Sequence, residues 1–201
     1  MKLVAIAIAA LSLTPLFGAD DEGRPVTFGV RAGFPVRNPF STGQSGDTSY
    51  SVDTTRYTVG PTVEFSLSHR LGIEADALFQ PLGYQSIASA DGVEQRVKTT
   101  GDLWDFPVLL KYRLFGRGVK PFLDTGPDFR RVTGIDTTAP ELLHRFSAGY
   151  VVGGGVALRS RHFEFSPEFR YTRWGRENFL VPDGAFHSRL NESKFLIGFT
   201  F

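Results

Sequence analysis

The chain has 201 residues, with 22 basic and 21 acidic side chains and a formal net charge of +1, so it lacks the basic surplus that nucleic-acid binding needs. Cysteine is absent, which excludes disulfides, thiolate metal sites and cysteine nucleophiles. The 22 glycines and 19 phenylalanines make a strand-and-turn composition that fits one domain.

Residues 1–19 read as a secretory signal. Lys2 supplies the positive start, Leu3 to Leu13 is an apolar run, and Pro15 breaks it before Gly18 and Ala19. The run is shorter than the roughly 20 residues a membrane helix needs, so export with cleavage after Gly18 or Ala19 is expected. Residues 20–24 form a polar leader, and 25–201 form the folded domain.

From Val26 to Phe34, apolar Val26, Phe28, Val30, Ala32 and Phe34 alternate with Thr27, Gly29, Arg31 and Gly33. That period of two predicts a strand with one apolar face. Residues 37–55 are polar and read as a long loop. A second strand runs from Tyr57 to Leu67, and a turn at His69-Arg70 leads into a third from Leu71 to Gln80. Residues 85–101 read as another long polar loop. The fourth strand, from Trp104 to Leu114, and the fifth, from Pro121 to Arg130, flank a short connection at 115–119. Residues 132–145 are a third long connection. The sixth strand runs from Ala148 to Arg159, a turn lies at 160–162, and the seventh runs from Phe163 to Tyr171. A fourth long loop spans 175–190. The eighth strand alternates through Phe195, Ile197, Phe199 and Phe201.

The connections alternate long and short, as when the two ends of a barrel face different compartments. The apolar face is nearly free of charge and is aromatic near its ends. Tyr57, Trp104, Phe129 and Tyr171 lie toward the long loops; Phe28, Phe65, Tyr112, Phe163 and Phe201 lie toward the short turns. This pattern predicts two interfacial girdles. The polar face holds most strand glycines and charges of both signs, which suits a crowded interior. The expected fold is all-β: an eight-stranded antiparallel up-and-down transmembrane β-barrel. Its lumen should hold a structural charge network of Arg31, Glu64, Glu74, Asp76, Lys111, Arg113, Asp124, Asp128, Arg130, Glu168 and Arg170, because buried charges must pair. Pro61, Pro107, Pro127 and Pro167 sit inside strands and should mark bulges or gaps in pairing.

The runs Asp105-Phe106-Pro107-Val108-Leu109-Leu110-Lys111-Tyr112, Gly126-Pro127-Asp128-Phe129-Arg130, Pro167-Glu168-Phe169-Arg170-Tyr171 and Gly198-Phe199-Thr200-Phe201 make the chain resemble the small bacterial outer-membrane β-barrel family. It is similar to the barrel half of OmpA-type proteins over roughly Pro25 to Phe201. The resemblance implies residence in the outer membrane of a Gram-negative-type bacterium, contact with its lipid, and insertion by the barrel-assembly machinery. That machinery would read a C-terminal signal made of Phe195, Ile197, Phe199 and Phe201. The peptidoglycan-binding domain of full-length OmpA-type proteins is not expected after this barrel, and its role is not carried over.

Some small barrels modify lipids, which makes each histidine a candidate base. His69 and His162 fall in short turns, and His144 and His187 in long loops. His187-Ser188 with Glu192 nearby is the one candidate grouping for nucleophilic hydrolysis, and solvated loop residues are the stronger reading. Glu74/Asp76 and Asp124/Asp128 are candidate acid–base or cation pairs, for which salt-bridged filling is expected. Gly153-Gly154-Gly155 lacks the Lys-Ser/Thr and helix of a phosphate loop. Phe179, Leu180, Val181 and Phe186 form an apolar cluster expected to pack on the rim, with partner or lipid contact as the alternative. The expected function is therefore a non-enzymatic barrel with a structural or surface-interaction role that presents four long extracellular loops. No catalytic residue, metal site or cofactor is expected, the chain should be monomeric, and the loop partner is not identified. A narrow pore for ions or small solutes is the alternative, and a soluble secreted ligand-binding barrel ranks lower.

Overall fold

A computed structural model describes residues 25–52, 56–90, 93–114, 119–135, 141–159, 163–181 and 184–201. The expected signal and leader at 1–24, and the turn at 160–162 with His162, lie outside the described residues. The strands in chain order are β1 (Val26–Pro35), β2 (Phe40–Thr42), β3 (Gln44–Ser45), β4 (Thr48–Val52), β5 (Thr58–Ser66), β6 (Leu71–Asp76), β7 (Leu78–Ala90), β8 (Val93–Arg113), β9 (Val119–Thr133), β10 (Phe146–Arg159), β11 (Glu164–Trp174), β12 (Phe186–Ser188) and β13 (Asn191–Thr200).

The barrel closes through β1. One edge of β1 pairs antiparallel with β5, Val26 opposite Phe65. Its other edge pairs with β13, from Gly29 opposite Thr200 to Pro35 opposite Lys194. Between them the sheet runs β5, β6 and β7, β8, β9, β10, β11 and β13, so β6 and β7 together form one stave of an eight-stave barrel. Closure leaves no edge to satisfy in hydrocarbon.

The four prolines expected to interrupt pairing each sit at a gap in one ladder, because proline has no N–H to donate. Pro61 faces the break between β6 and β7 at Ala77, whose N–H donates to the Pro61 carbonyl at 3.1 Å. Pairing of β8 skips Phe106 and Pro107 between Val108, opposite Ala75, and Asp105, opposite Leu78. The β8–β9 ladder skips Gly126 and Pro127, and the β10–β11 ladder skips Ser166 and Pro167.

The side-chain alternation now has a direction. Phe65, Leu110 and Phe199 point outward, 45%, 47% and 43% exposed. The girdle aromatics Tyr57, Phe129, Tyr171, Phe28, Tyr112, Phe163 and Phe201 are exposed on the same outer surface. Phe195 and Ile197 share that face, half-buried between neighbouring strands.

The long connections differ from a set of plain loops. Residues 85–90 and 93–101 continue β7 and β8 as paired antiparallel strands, and β8 alone runs 21 residues. The continuation is held because β4 adds to its outer edge, Thr48 opposite Ala88 through Val52 opposite Tyr84. Strand β9 likewise extends to Thr133. Within 37–55 lie β2, β3 and β4, and within 175–190 lies β12, which pairs with β2, Phe186 opposite Thr42 and Ser188 opposite Phe40. These segments build a folded cap over the long-connection end.

Candidate functional site

Two layers of charge fill the lumen. The first lies toward the short-turn end. Arg31 on β1 is fully buried and reaches across the barrel to Glu74 on β6 and Glu168 on β11. Arg170 donates from Nη1 to Asp76 Oδ2 at 2.6 Å and from Nη2 to Glu74 Oε1 at 2.5 Å, and its Nε donates to Glu168. Glu64 and Glu74 face each other across the β5–β6 ladder. Lys111 resolves that repulsion by donating to both, at 3.3 Å to Glu64 Oε2. Arg113 closes the layer on Glu64.

The second layer lies toward the cap. Arg130 on β9 donates from Nε and Nη2 to the two carboxylate oxygens of Asp105 at 2.7 and 2.8 Å. The same Nη2 reaches Glu192 Oε2 at 2.5 Å. Lys194 bonds Asp105 and lies 3.6 Å from Glu192 Oε1. The Arg130 guanidinium carbon sits 4.1 Å from the Trp174 ring centre, and the Trp174 indole N–H donates to Glu192 at 3.1 Å.

Of the eleven charged residues the alternation assigned to the lumen, ten are buried: Arg31, Glu64, Glu74, Asp76, Lys111, Asp124, Asp128, Arg130, Glu168 and Arg170. The Arg113 side chain is 15% exposed at the rim. Three further members were missed: Asp105, Glu192 and Lys194 are buried in the second layer. Parity held the signal. Asp105 is in phase with Lys111, and Glu192 and Lys194 are in phase with Leu196 and out of phase with Phe195 and Ile197, so a period of two places all three on the lumen face.

Above the second layer the cap has its own apolar core of Phe40, Leu82, Tyr84, Leu103, Val132, Ile135, Phe179 and Phe186. Phe186 stacks on Phe40 at 5.1 Å and on Tyr50 at 5.3 Å between ring centres. The Phe179 to Phe186 cluster thus divides: both phenylalanines are fully buried, while Leu180 is exposed. The Tyr84 hydroxyl donates to Glu141 Oε2 at 3.2 Å. Burial, then the neighbouring Glu141 charge, push that hydroxyl well above the ordinary tyrosine range.

The His187, Ser188 and Glu192 grouping does not converge. Ser188 Oγ accepts from the Phe179 N–H at 2.8 Å inside the cap, His187 Nδ1 meets the Gly184 carbonyl at 3.0 Å, and Glu192 is held by Arg130 and Trp174. His144 Nδ1 lies 3.1 Å from the Glu177 carbonyl oxygen, and His69 lies exposed in its turn.

The sequence model of the family described as outer membrane protein beta-barrel domain matches residues 18–175. No curated protein sequence matches the chain. Among solved structures, the outer membrane protein OprG from Pseudomonas aeruginosa is similar at a TM-score of 0.53 and 15% identity, over 88% of this chain and 94% of that one. Neisserial surface protein A (NspA) is similar at 0.54 and 14%, over 89% of this chain and 98% of that one. At these identities the likeness speaks for the fold. With the apolar side of every stave turned outward, the soluble ligand-binding barrel is ruled out. The chain belongs to the outer membrane protein beta-barrel domain family and is an eight-stranded barrel of the bacterial outer membrane.

Proposed function

We propose that this barrel is a non-enzymatic structural and surface-interaction element whose lumen does not conduct. The supporting observation is the stacking of two ion-paired layers beneath an aromatic cap. An eight-stranded barrel has room for little beyond its own side chains, and here those side chains bond to one another across the full width. The cap end, built from the longer connections, faces the exterior and supplies the contact surface. In this reading residues 1–19 direct export and are removed. The aromatic face of β13 is read during assembly, and the mature barrel is a monomer surrounded by lipid.

A narrow pore is the competing reading, since charged lumens line many channels. Planar-bilayer recording separates the two. The expected trace shows no steady single-channel current. Stepwise currents that persist at constant voltage would overturn the proposal.

A further inference from the structure

The lumen is short of positive charge. In the first layer, among the described residues, Glu64, Glu74, Asp76, Asp124 and Glu168 face Arg31, Lys111, Arg113 and Arg170. In the second, Asp105, Asp128 and Glu192 face Arg130 and Lys194. Fully ionised, each layer carries one uncompensated negative charge inside a low-dielectric cylinder, where such a charge is costly.

The surplus of the first layer can be located. Asp124 is 2% exposed, and neither of its carboxylate oxygens has a hydrogen-bond partner. Its nearest cation, Arg170 Nη2, is 3.9 Å from Oδ2, outside hydrogen-bonding range. Lys111 stands opposite Asp124 across the β8–β9 ladder, but its ammonium is turned to Glu64 and Glu74. Oxygens of Asp124, Glu74 and Glu168 all lie within 4.8 Å of one another. The position is built for this carboxylate: a Cβ on Gly153, across the β9–β10 ladder, would stand 2.2 Å from Asp124 Oδ1. A side chain there would push this carboxylate aside.

We propose that Asp124, with Glu74 and Glu168, forms a binding site for one monovalent cation, supplied by a proton or by an alkali-metal ion. One positive charge balances the layer, whereas a divalent ion would leave it positive beside Arg31, Lys111 and Arg170. The oxygen-only donor set suits hard cations. The charged groups facing the site are Arg31 from β1, Glu74 and Asp76 from β6, Lys111 from β8, and Glu168 and Arg170 from β11. Strand β10 contributes the bare Gly153. Asp128, four residues along β9, has one orphaned oxygen and is the corresponding position of the second layer.

A ligand held by the folded state alone raises stability with its concentration. The test follows thermal unfolding of the full barrel in detergent, for the wild type and Asp124→Asn, which keeps the shape and removes the charge. One arm raises pH from about 5 to about 8, a window in which free carboxyls are ionised. The other replaces choline chloride by sodium or potassium chloride at constant ionic strength. If the cation is a proton, the wild-type midpoint falls as pH rises. If it is an alkali ion, the midpoint climbs with sodium or potassium at fixed pH. In either case Asp124→Asn removes this site's share of the response, leaving at most the share of Asp128 in the second layer, and unfolds no earlier than the wild type. Phe186→Ala, which alters only the cap core and leaves every charge of the layer in place, retains the response. A wild type indifferent to both cations, or a response as large in Asp124→Asn as in the wild type, overturns the proposal. Infrared spectra of the wild type add an independent readout if the variant fails to fold. A protonated-carboxyl band marks the proton, and a sodium- or potassium-dependent carboxylate shift marks the ion. The absence of both overturns the proposal.

Discussion

Arg130 grips Asp105 with two parallel hydrogen bonds, Nε to Oδ1 at 2.7 Å and Nη2 to Oδ2 at 2.8 Å, across the β8–β9 ladder where the two residues are paired. The two-pronged geometry is specific to guanidinium. Removing Arg130 leaves Asp105 with Lys194 as its remaining cation and takes a donor from Glu192. Arg130→Ala should cost about 3–5 kcal/mol, the usual penalty for an uncompensated buried charge. It is checked by denaturant unfolding in detergent. Arg130→Lys should recover only part of this, since one ammonium cannot serve Asp105 and Glu192 with the same fork.

The cap should loosen without the barrel. Phe186 is fully buried and contacts Phe40, Tyr50, Tyr84 and Phe179. Truncating it to alanine removes about 3–5 kcal/mol of burial and packing, all from the segments above the second charge layer. Phe186→Ala should speed protease cleavage and amide exchange in 37–52 and 175–190. The staves, held by closed ladders, should exchange as in the wild type. Uniform loss of protection would contradict a separately stabilised cap.

Tyr84 adds an alkaline trigger to the same cap. In the folded state its hydroxyl keeps its proton beyond the ordinary value of 10.0, because burial and then Glu141 oppose the phenolate. The unfolded segment loses that proton first. Stability is therefore full below about pH 10 and declines as pH rises beyond it. Amide exchange in the cap should accelerate above that pH in the wild type. In Tyr84→Phe the baseline protection should drop modestly with the lost hydrogen bond, and the acceleration assigned to this group should vanish.

A backbone contact gives the sharpest steric test. A Cβ on Gly60 would stand 1.8 Å from the Ala77 carbonyl oxygen, at the break between β6 and β7. Backbone cannot yield as a side chain does. Gly60→Ala should prevent folding into the heat-resistant barrel, read as loss of the fast-migrating band in unheated electrophoresis. Gly43→Ala, whose Cβ would meet its nearest atom at 3.3 Å, should still fold.

The staves were legible because lipid on one side and a packed lumen on the other impose a strict period of two. Arg31, Lys111, Arg130 and Arg170 could be placed on that ground alone. The continuation of the two strands over 85–90 and 93–101 was not legible. Above the membrane both faces meet water, so Gln85, Lys98 and Thr100 carry no apolar period, although β4 supplies a ladder partner for β7. The cap core stayed hidden for another reason: Phe40, Tyr84 and Phe186 are far apart in sequence, and nothing local announces that they stack. Asp105 was on the correct face, but its neighbour Trp104 marks the girdle, where a carboxylate reads as solvated.

The β2–β12 ribbon joins residues near the start of the chain to residues near its end, Phe40 opposite Ser188 and Thr42 opposite Phe186. An antibody that grips this ribbon must therefore read two stretches of polypeptide almost 150 positions apart, presented as one surface, with Arg189 Nε donating to the Phe40 carbonyl at 3.3 Å across them. Immunisation with either stretch as a linear peptide should yield sera that stain denatured blots and pass over intact cells. Substitutions that let an exposed variant escape recognition there are confined to outward positions of the ribbon. A change at Phe40 or Phe186 would alter the whole epitope and the lid that carries it.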